Sequence, residues 1–185
     1  MLEIIIQGRG GQGAQTAGNL LASAFHAQGL YVQCFATYGG ARRGTPVNSY
    51  IRADDSPVRV RCDIERADAI LCFDASLLEG RLLACADANT LIVVNSARSA
   101  VEFAQVLPGK RVITIDALTI SRQLGLGRIV NSALIGALAR VIEAPSLATL
   151  SSTLTDELPR QRDENVAACV QGYRWADQQL LGSAA

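Results

Sequence analysis

The chain has 185 residues, and its 49% of hydrophobic residues against 18% of charged residues predicts a substantial folded core. Seventeen basic residues balance seventeen acidic ones and only 5% are aromatic, which argues against nucleic-acid binding through bulk charge or base stacking. No stretch approaches the ~20 apolar residues of a membrane span, and no basic segment precedes the first apolar run as in a signal peptide. We therefore expect a cytoplasmic protein without a nucleic-acid or membrane partner.

Strand-like and helix-like stretches alternate along most of the chain. Short β-branched and apolar runs predict strands over residues 2–7, 31–37, 47–53, 69–73, 90–95 and 111–116. Stretches rich in alanine and leucine predict helices over residues 14–28, 76–86, 100–106, 131–143, 146–157 and 160–181. This order is typical of an α/β fold: a single open, mostly parallel, Rossmann-like sheet with helices on both faces, here with a helical C-terminal segment. No linker or internal repeat divides the chain, so we predict one domain over residues 1–185.

A glycine-rich turn follows the first predicted strand. Gly8, Gly10 and Gly13 fit the GxGxxG pattern, and Gly11 adds a fourth glycine. In such a turn several backbone N–H groups point in the same direction, with the positive end of the helix dipole behind them. The expected ligand is therefore an anion or a carbonyl oxygen. The alternative is that the glycines only permit a tight turn against another subunit. The candidate binding residues here are Gly8, Arg9, Gly10, Gly11, Gln12 and Gly13.

The acidic residue of an ordinary dinucleotide site is missing. That residue holds a ribose hydroxyl at the end of the second strand, but no Asp or Glu occurs between Glu3 and Asp54. The same interval carries four positive charges with no acidic residue in it to compensate them, on Arg9, Arg42, Arg43 and Arg52. This distribution favours a phosphate-bearing ligand or an acidic partner surface over NAD. The 2′-phosphate of NADP remains an alternative guest for Arg42 or Arg43.

A second glycine-rich stretch, "YGGARRGTPVNSYIR", follows the second predicted strand. Its three glycines indicate a turned loop, and Pro46 keeps Thr45 extended. Adjacent arginines at the end of a strand lie where open α/β sheets bind ligands. Alternatively, the arginine pair meets carboxylates of a neighbouring subunit. The candidate binding residues of this stretch are Arg42, Arg43, Gly44 and Thr45.

The remaining polar residues predict neither a metal site nor a catalytic residue. The cysteines are Cys34, Cys62, Cys72, Cys85 and Cys169; their wide spacing, with a single histidine in the chain, argues against zinc and iron–sulfur ligation and favours buried thiols in a reducing cytoplasm. Four polar residues follow predicted strands and either cap the next segment or face a ligand: Asp74, Asn95, Ser96 and Asp116.

Taken together, these stretches resemble a known family. "GRGGQGAQTAGNLLASAFHAQG" followed by "TYGGARRGTPVNSYIR" resembles the gamma subunit, or gamma domain, of the 2-oxoacid:ferredoxin (acceptor) oxidoreductases of the pyruvate/ketoisovalerate type. "NSALIGAL", from Asn131, resembles the asparagine-led helix of that family, and "NVAACVQGY", from Asn165, resembles its C-terminal segment. One departure is Ala41, where relatives often carry an acidic residue, and it leaves the arginine loop more positive.

The resemblance implies a role inside a larger enzyme. Such enzymes convert a 2-oxoacid and coenzyme A into an acyl-CoA, CO2 and two low-potential electrons, using thiamine diphosphate, Mg and iron–sulfur (4Fe–4S) clusters. The gamma subunit is expected to bind none of these cofactors, to be inactive alone, and to help enclose the coenzyme A side of the active site. Its implied partners are alpha, beta and ferredoxin-like delta subunits, with ferredoxin or another electron acceptor. The competing interpretations are a free-standing NADP-binding reductase and a ligand-free interaction module.

Overall fold

The computed structural model describes residues 1–40 and 44–182, and within them the chain folds around a six-stranded sheet. The strands are β1 (Leu2–Arg9), β2 (Tyr31–Tyr38), β3 (Pro46–Asp54), β4 (Ala69–Cys72), β5 (Leu91–Asn95) and β6 (Arg111–Ile115). The helices are α1 (Ala14–Ala27), α2 (Gly80–Ala84), α3 (Ala100–Val106), α4 (Ala117–Gln123), α5 (Asn131–Ile142), α6 (Leu147–Glu157) and α7 (Arg162–Gly182). All the predicted strands are present.

The strand order is β2-β3-β1-β4-β5-β6, and among these strands β3 alone runs in the direction opposite to the other five. The pairs β1–β4, β4–β5 and β5–β6 are parallel, which confirms the open, mostly parallel sheet. Because β3 lies between β1 and β2, the connection from β1 through α1 to β2 crosses over β3. The chain then returns from β2 to β3 through residues 39–45.

Helix α1 begins directly after the turn that ends β1. Alanine, leucine and phenylalanine recur at helical spacing, and Ala17 and Phe25 are fully buried on the face toward the sheet. Gly18 lies on the same face, where a Cβ atom would overlap the side chain of Ser49 on β3. The helix ends just before Gly29, which has a φ of 88° and stops the helix as predicted.

Helices cover both faces of the sheet, as predicted. Consecutive residues of a strand point to opposite faces, and the isoleucines of β1 show the consequence. Ile4 and Ile6 enter a core that they share with α1, α4, α5, α6 and α7. Ile5 enters a second core, shared with α2 and α3. The helical C-terminal segment, α5 to α7, therefore packs on the same face as α1.

One helix prediction is wrong, and one helix of the structure was not predicted. The sequence predicts one helix over residues 76–86, but a 3₁₀ turn (Ala75–Leu77) and the short α2 lie there, separated by Leu78 and Glu79; α2 begins at Gly80, whose φ is 51°. Helix α4 is not predicted, because its β-branched residues continue the apolar run of β6. Asp116 starts α4 by accepting a hydrogen bond from the Thr119 N–H at 3.0 Å.

Helices α5 and α7 pack with their backbones in close contact at two glycines. A Cβ atom at Gly136 of α5 would overlap the carbonyl group of Cys169 on α7. A Cβ atom at Gly172 of α7 would overlap the carbonyl group of Ala133 on α5. Neither contact leaves room for a methyl group. None of the described helices combines the length and the apolar character that crossing a bilayer requires.

Candidate functional site

The turn after β1 is closed by its own residues. The Gln12 N–H donates to the Arg9 carbonyl oxygen at 2.9 Å, and the Arg9 N–H donates to Gln12 Oε1 at 2.6 Å. Gly11 and Gly13 take positive φ angles of 96° and 88°, which side-chain-bearing residues rarely adopt. The turn therefore needs glycine at these two positions for its backbone path, whatever it binds.

Helix α1 starts from this turn without a side-chain cap. Its N-cap is Gly13, and its first turn contains no acidic residue. The first N–H groups of a helix have no partner within the helix and carry the positive end of its dipole. This arrangement can accept an anion or a carbonyl oxygen, which is the chemistry that the glycine pattern indicates.

A cleft of about 790 Å³ lies beside the turn and the start of α1. Its floor and walls come from the glycine turn, the first turn of α1, the end of β2 and the start of β3. The residues that line it are Arg9, Gly10, Gly11, Gly13, Ala14, Gln15, Thr16, Tyr38, Gly40, Thr45 and Val47. We call this space the glycine-loop cleft.

The second predicted stretch forms the opposite wall of the glycine-loop cleft. The antiparallel pairing of β1 with β3 places Gly8 opposite Val47 and Arg9 opposite Pro46. Beyond the last strand pair, the Gly10 N–H donates to the Thr45 carbonyl oxygen at 2.9 Å. The sheet thus brings together two glycine-rich stretches that are far apart in the sequence.

The predicted binding residues occupy different places around the cleft. Five of the ten line it, namely Arg9, Gly10, Gly11, Gly13 and Thr45. Gly8 is buried beneath the turn, where an added Cβ atom would lie 3.1 Å from the Phe73 Cβ and 3.2 Å from the Ala14 Cβ, a tight contact. Gln12 lines a second cavity, of about 450 Å³, on the other side of the turn. Gly44 meets the Arg9 side chain through its carbonyl group, and Arg42 and Arg43 lie outside the described residues.

Asn131 supports the turn from behind and is absent from the predicted set. Its Nδ2 donates to the Gly13 carbonyl oxygen at 3.3 Å. A Cβ atom at Gly13 would come within 2.5 Å of that same nitrogen, so the asparagine amide occupies the space that a side chain would need. Asn131 begins the segment "NSALIGAL", which resembles the asparagine-led helix of the family, so that resemblance could have marked it as a candidate site residue.

Two of the four arginines that the sequence leaves uncompensated are paired in the structure. Glu3 accepts from the Arg52 Nε at 2.7 Å, and the buried Arg52 also donates to the Cys62 carbonyl oxygen at 2.7 Å. Asp74 accepts from the Arg9 Nε at 2.8 Å. The expectation of four uncompensated charges is therefore wrong, because Glu3 and Asp74 approach from outside the acid-free interval.

Asp74 combines the two roles that the sequence left open. It caps the 3₁₀ turn by accepting from the Ser76 N–H at 3.0 Å, and it binds the Arg9 guanidinium, which lines the cleft. Burial alone would raise the pKa of Asp74, but hydrogen bonds from Ser76 and Arg9 outweigh burial, and the pKa lies below its usual range. The carboxylate is therefore ionised at neutral pH.

The other strand-end residues make local structural bonds. Asn95 donates to the Phe73 carbonyl oxygen at 3.1 Å and accepts from the Ala117 N–H at 3.2 Å. Ser96 accepts from the Arg98 N–H at 3.1 Å. These bonds, with the cap that Asp116 provides for α4, account for the polar residues at this edge of the sheet through backbone contacts.

The cysteines are less uniformly buried than predicted. Three of them are buried, but Cys34 is half-buried and Cys62 is exposed, in the loop between β3 and β4. Burial raises the pKa of the Cys72 and Cys169 thiols to about 12, so both remain protonated. Over residues 1–40 and 44–182, no three His, Cys, Asp or Glu side chains gather in a way that could hold a metal ion.

Comparison with known sequences decides the family. The family model described as "Pyruvate ferredoxin/flavodoxin oxidoreductase" matches residues 3–175. This chain belongs to that oxidoreductase family. The "Pyruvate/ketoisovalerate oxidoreductases common subunit gamma" of Pyrococcus abyssi is 36% identical over 171 residues, which span 90% of this chain and 92% of the relative. The "Pyruvate synthase subunit PorC" of Methanocaldococcus jannaschii is 34% identical over 157 residues, spanning 84% of this chain and 85% of the relative.

Solved structures of the oxidoreductase family share the fold. The pyruvate oxidoreductase subunit PORC of Thermotoga maritima matches with a TM-score of 0.81 at 30% identity, over 94% of this chain and 95% of that one. A 2-oxoglutarate:ferredoxin oxidoreductase of Magnetococcus marinus, solved with 2-oxoglutarate, coenzyme A and succinyl-CoA bound, matches with a TM-score of 0.78 at 22% identity. The match covers 96% of this chain and 31% of that longer chain, so there the fold is one part of a larger polypeptide. The chain is thus a gamma subunit of a pyruvate:ferredoxin oxidoreductase-type complex.

Proposed function

We propose that this gamma subunit packs on the catalytic subunits of its complex and forms the coenzyme A side of the active site, with the phosphates of coenzyme A in the glycine-loop cleft. The observation that carries the proposal is the uncapped, acid-free start of α1, which opens into a cleft of about 790 Å³. Anionic phosphate groups suit both the helix end and the adjacent arginines, Arg42 and Arg43, that the sequence places shortly before β3.

The ten predicted residues divide into two groups under this proposal. The first group shapes the turn from which the start of α1 opens into the cleft: Gly8, Arg9, Gly10, Gly11, Gln12 and Gly13. The second group belongs to the loop that enters β3 and supplies positive charge and backbone contacts: Arg42, Arg43, Gly44 and Thr45. A pyrophosphate held by backbone amides and a nearby guanidinium pair needs no acidic residue at the end of β2, and none occurs there.

The chemistry of the complex is proposed to lie on the other subunits. The described residues offer no cluster of metal-binding side chains, and the sequence has no Gly-Asp-Gly start of a thiamine diphosphate site. We infer that thiamine diphosphate, Mg and the iron–sulfur clusters are held by alpha, beta and delta-type subunits. Conversion of a 2-oxoacid and coenzyme A to acyl-CoA, with electrons passed to ferredoxin or another acceptor in the cytoplasm, would then require the whole complex, and this subunit alone would be inactive.

The test compares two arginine pairs in the purified complex. Arg42→Ala combined with Arg43→Ala removes the two charges proposed to face coenzyme A. Arg59→Ala combined with Arg61→Ala makes the same change in charge at exposed residues of another loop and serves as the control. We expect the first pair to raise the KM for coenzyme A by roughly 10- to 100-fold, because each lost charge-assisted bond to phosphate is worth about tenfold, and the control pair to leave it unchanged.

The alternatives predict different results. Unchanged assembly and an unchanged KM for coenzyme A in the Arg42/Arg43 variant would contradict the proposal. Loss of assembly, with a normal KM in whatever complex remains, would favour an interaction module. Binding of NADP by the isolated chain would favour the free-standing reductase, in which Arg42 or Arg43 holds the 2′-phosphate.

A further inference from the structure

The side chain of Arg9 joins three segments of the chain. Its Nε donates to Asp74 Oδ2 at 2.8 Å, one terminal nitrogen donates to Ser76 Oγ at 2.8 Å, and the other donates to the Gly44 carbonyl oxygen at 3.3 Å. Arg9 is the last residue of β1, Asp74 follows β4, and Gly44 precedes β3. All three guanidinium nitrogens are therefore directed at protein acceptors.

This junction lies where the connections that follow two neighbouring strands leave on opposite faces of the sheet. Strands β1 and β4 are parallel neighbours, but β1 leads into α1 on one face and β4 leads into the 3₁₀ turn on the other. Open α/β sheets bind ligands in the crevice at such a point. Here the ion pair of Arg9 with Asp74 joins the ends of β1 and β4, and Arg9 itself lines the glycine-loop cleft.

The junction also fixes the wall of the glycine-loop cleft that faces α1. Gly44 is held by Arg9, and the adjacent Thr45 is held through its carbonyl oxygen by the Gly10 N–H at 2.9 Å. Asp74 is in turn held by Ser76, through the N–H at 3.0 Å and the hydroxyl at 2.6 Å. The Arg9 guanidinium is planar and rigid, so its bond to the fixed Asp74 carboxylate also fixes the position of the Gly44 carbonyl group.

We propose that Arg9 is a positioning residue: it fastens the Gly44–Thr45 wall to Asp74 and thereby sets the width of the glycine-loop cleft, instead of lending its charge to a phosphate. This inference rests on the proposed binding of coenzyme A in that cleft. It gives Arg9 and Asp74 a joint role, whereas a phosphate-binding Arg9 would be hindered by the carboxylate beside it.

The test uses three variants of the intact complex. Arg9→Lys keeps the charge but loses the fork, Arg9→Gln loses both, and Asp74→Asn keeps the oxygen that accepts from Ser76 but removes the ion pair. Arg81→Gln and Asp63→Asn serve as controls, because they disrupt an ion pair of the same length, 2.8 Å, outside the cleft. The readouts are the KM for coenzyme A, kcat, and amide hydrogen exchange at Gly10.

We expect all three variants to raise the KM for coenzyme A about tenfold, since loss of positioning weakens binding, with kcat within about twofold of the native value. The Gly10 N–H should exchange faster, because Thr45 is less firmly held. A direct phosphate contact predicts the opposite pattern: Arg9→Lys would retain most of the affinity and Asp74→Asn would leave the KM unchanged or lower it. That pattern, or unchanged exchange at Gly10 in all three variants, would overturn the positioning role.

Failure of the two proposals can be told apart. A raised KM in the Arg42/Arg43 variant together with a normal KM in the Arg9 variants would leave the proposed function standing and overturn the positioning role alone. A normal KM in every one of these variants, with faster exchange at Gly10, would show that coenzyme A binds elsewhere and would overturn both.

Discussion

The two glycines between α5 and α7 are tightly surrounded by atoms, whereas two glycines of the turn and loop beside the cleft, Gly11 and Gly44, have open space next to them. At Gly136 and Gly172 an added Cβ atom would overlap a backbone carbonyl group of the facing helix. At Gly11 and Gly44 it would meet nothing within 4 Å, but these residues have φ angles of 96° and 85°. The first pair is fixed by packing, and the second pair by backbone conformation.

This difference separates the part of the molecule that holds the fold together from the part proposed to bind a ligand. Close-packed helices leave no volume for a guest, and their contact has no tolerance for added atoms. The turn beside the glycine-loop cleft leaves open space next to its backbone at Gly11, where only the positive φ restricts the type of residue. Gly13 combines both constraints, since it has a positive φ and is also in contact with Asn131.

The largest effect is expected from Gly136→Ala. The new methyl group must displace the α7 backbone at Cys169, and overpacking of this kind costs about 3 kcal/mol in the free energy of unfolding. Chemical denaturation followed by circular dichroism measures the change. Gln178→Ala, at an exposed position of α7, is the control and should change the free energy by less than about 0.5 kcal/mol. A Gly136→Ala protein as stable as the control would mean that α5 and α7 are not in this backbone contact.

A smaller effect is expected at the turn, where the two constraints can be separated. Gly11→Ala should cost about 1–2 kcal/mol for its left-handed backbone alone, and Gly13→Ala should cost more because its Cβ also meets Asn131. Combining Gly13→Ala with Asn131→Ala should recover part of the difference, since the second change removes the amide. Equal costs at Gly11 and Gly13, with no recovery in the double variant, would contradict the contact described here.

The smallest expected effect is on the pH dependence of stability. It distinguishes the ion pair of Asp74 beside the cleft from the uncharged contact between α5 and α7. Because the pKa of folded Asp74 lies below its usual range, the ionised carboxylate stabilises the fold. This contribution is complete above the ordinary pKa of about 4 and is lost as the pH falls through the lower folded pKa. The stability difference between the native chain and Asp74→Asn should be constant from about pH 8 to pH 5 and shrink below about pH 4. The cost of Gly136→Ala should show no such loss.

Much of the fold could be predicted because strands and helices differ in the spacing of their apolar residues. The six strands and the start of α1 follow from such runs and from the glycine turn. The position of β3 between β1 and β2 could not be predicted, because the apolar pattern of a strand does not indicate which other strands it pairs with. Helix α4 was missed for a related reason, since its β-branched residues carry the same signal as the strand before them.

The site was predictable in its backbone and not in its side-chain partners. The glycine pattern indicated the turn, and Gly10, Gly11 and Gly13 do line the cleft. Pairing of Arg9 with Asp74 depends on β1 and β4 lying side by side, which joins residues 65 positions apart. Support of Gly13 by Asn131 depends on contact between elements 118 positions apart. The residues alone do not show which partners meet, because these contacts follow from the topology.

The reversed strand β3 has a consequence for how this family can diversify. Because β2 ends at Tyr38 and its antiparallel neighbour β3 begins at Pro46, the part of the chain between them has both ends fixed in the sheet. A connection of this kind can be exchanged or lengthened without moving the strands that hold it. Substitutions in the sequence between Gly40 and Gly44, which contains the arginine pair, would therefore alter the charge of the chain there while the sheet stays the same.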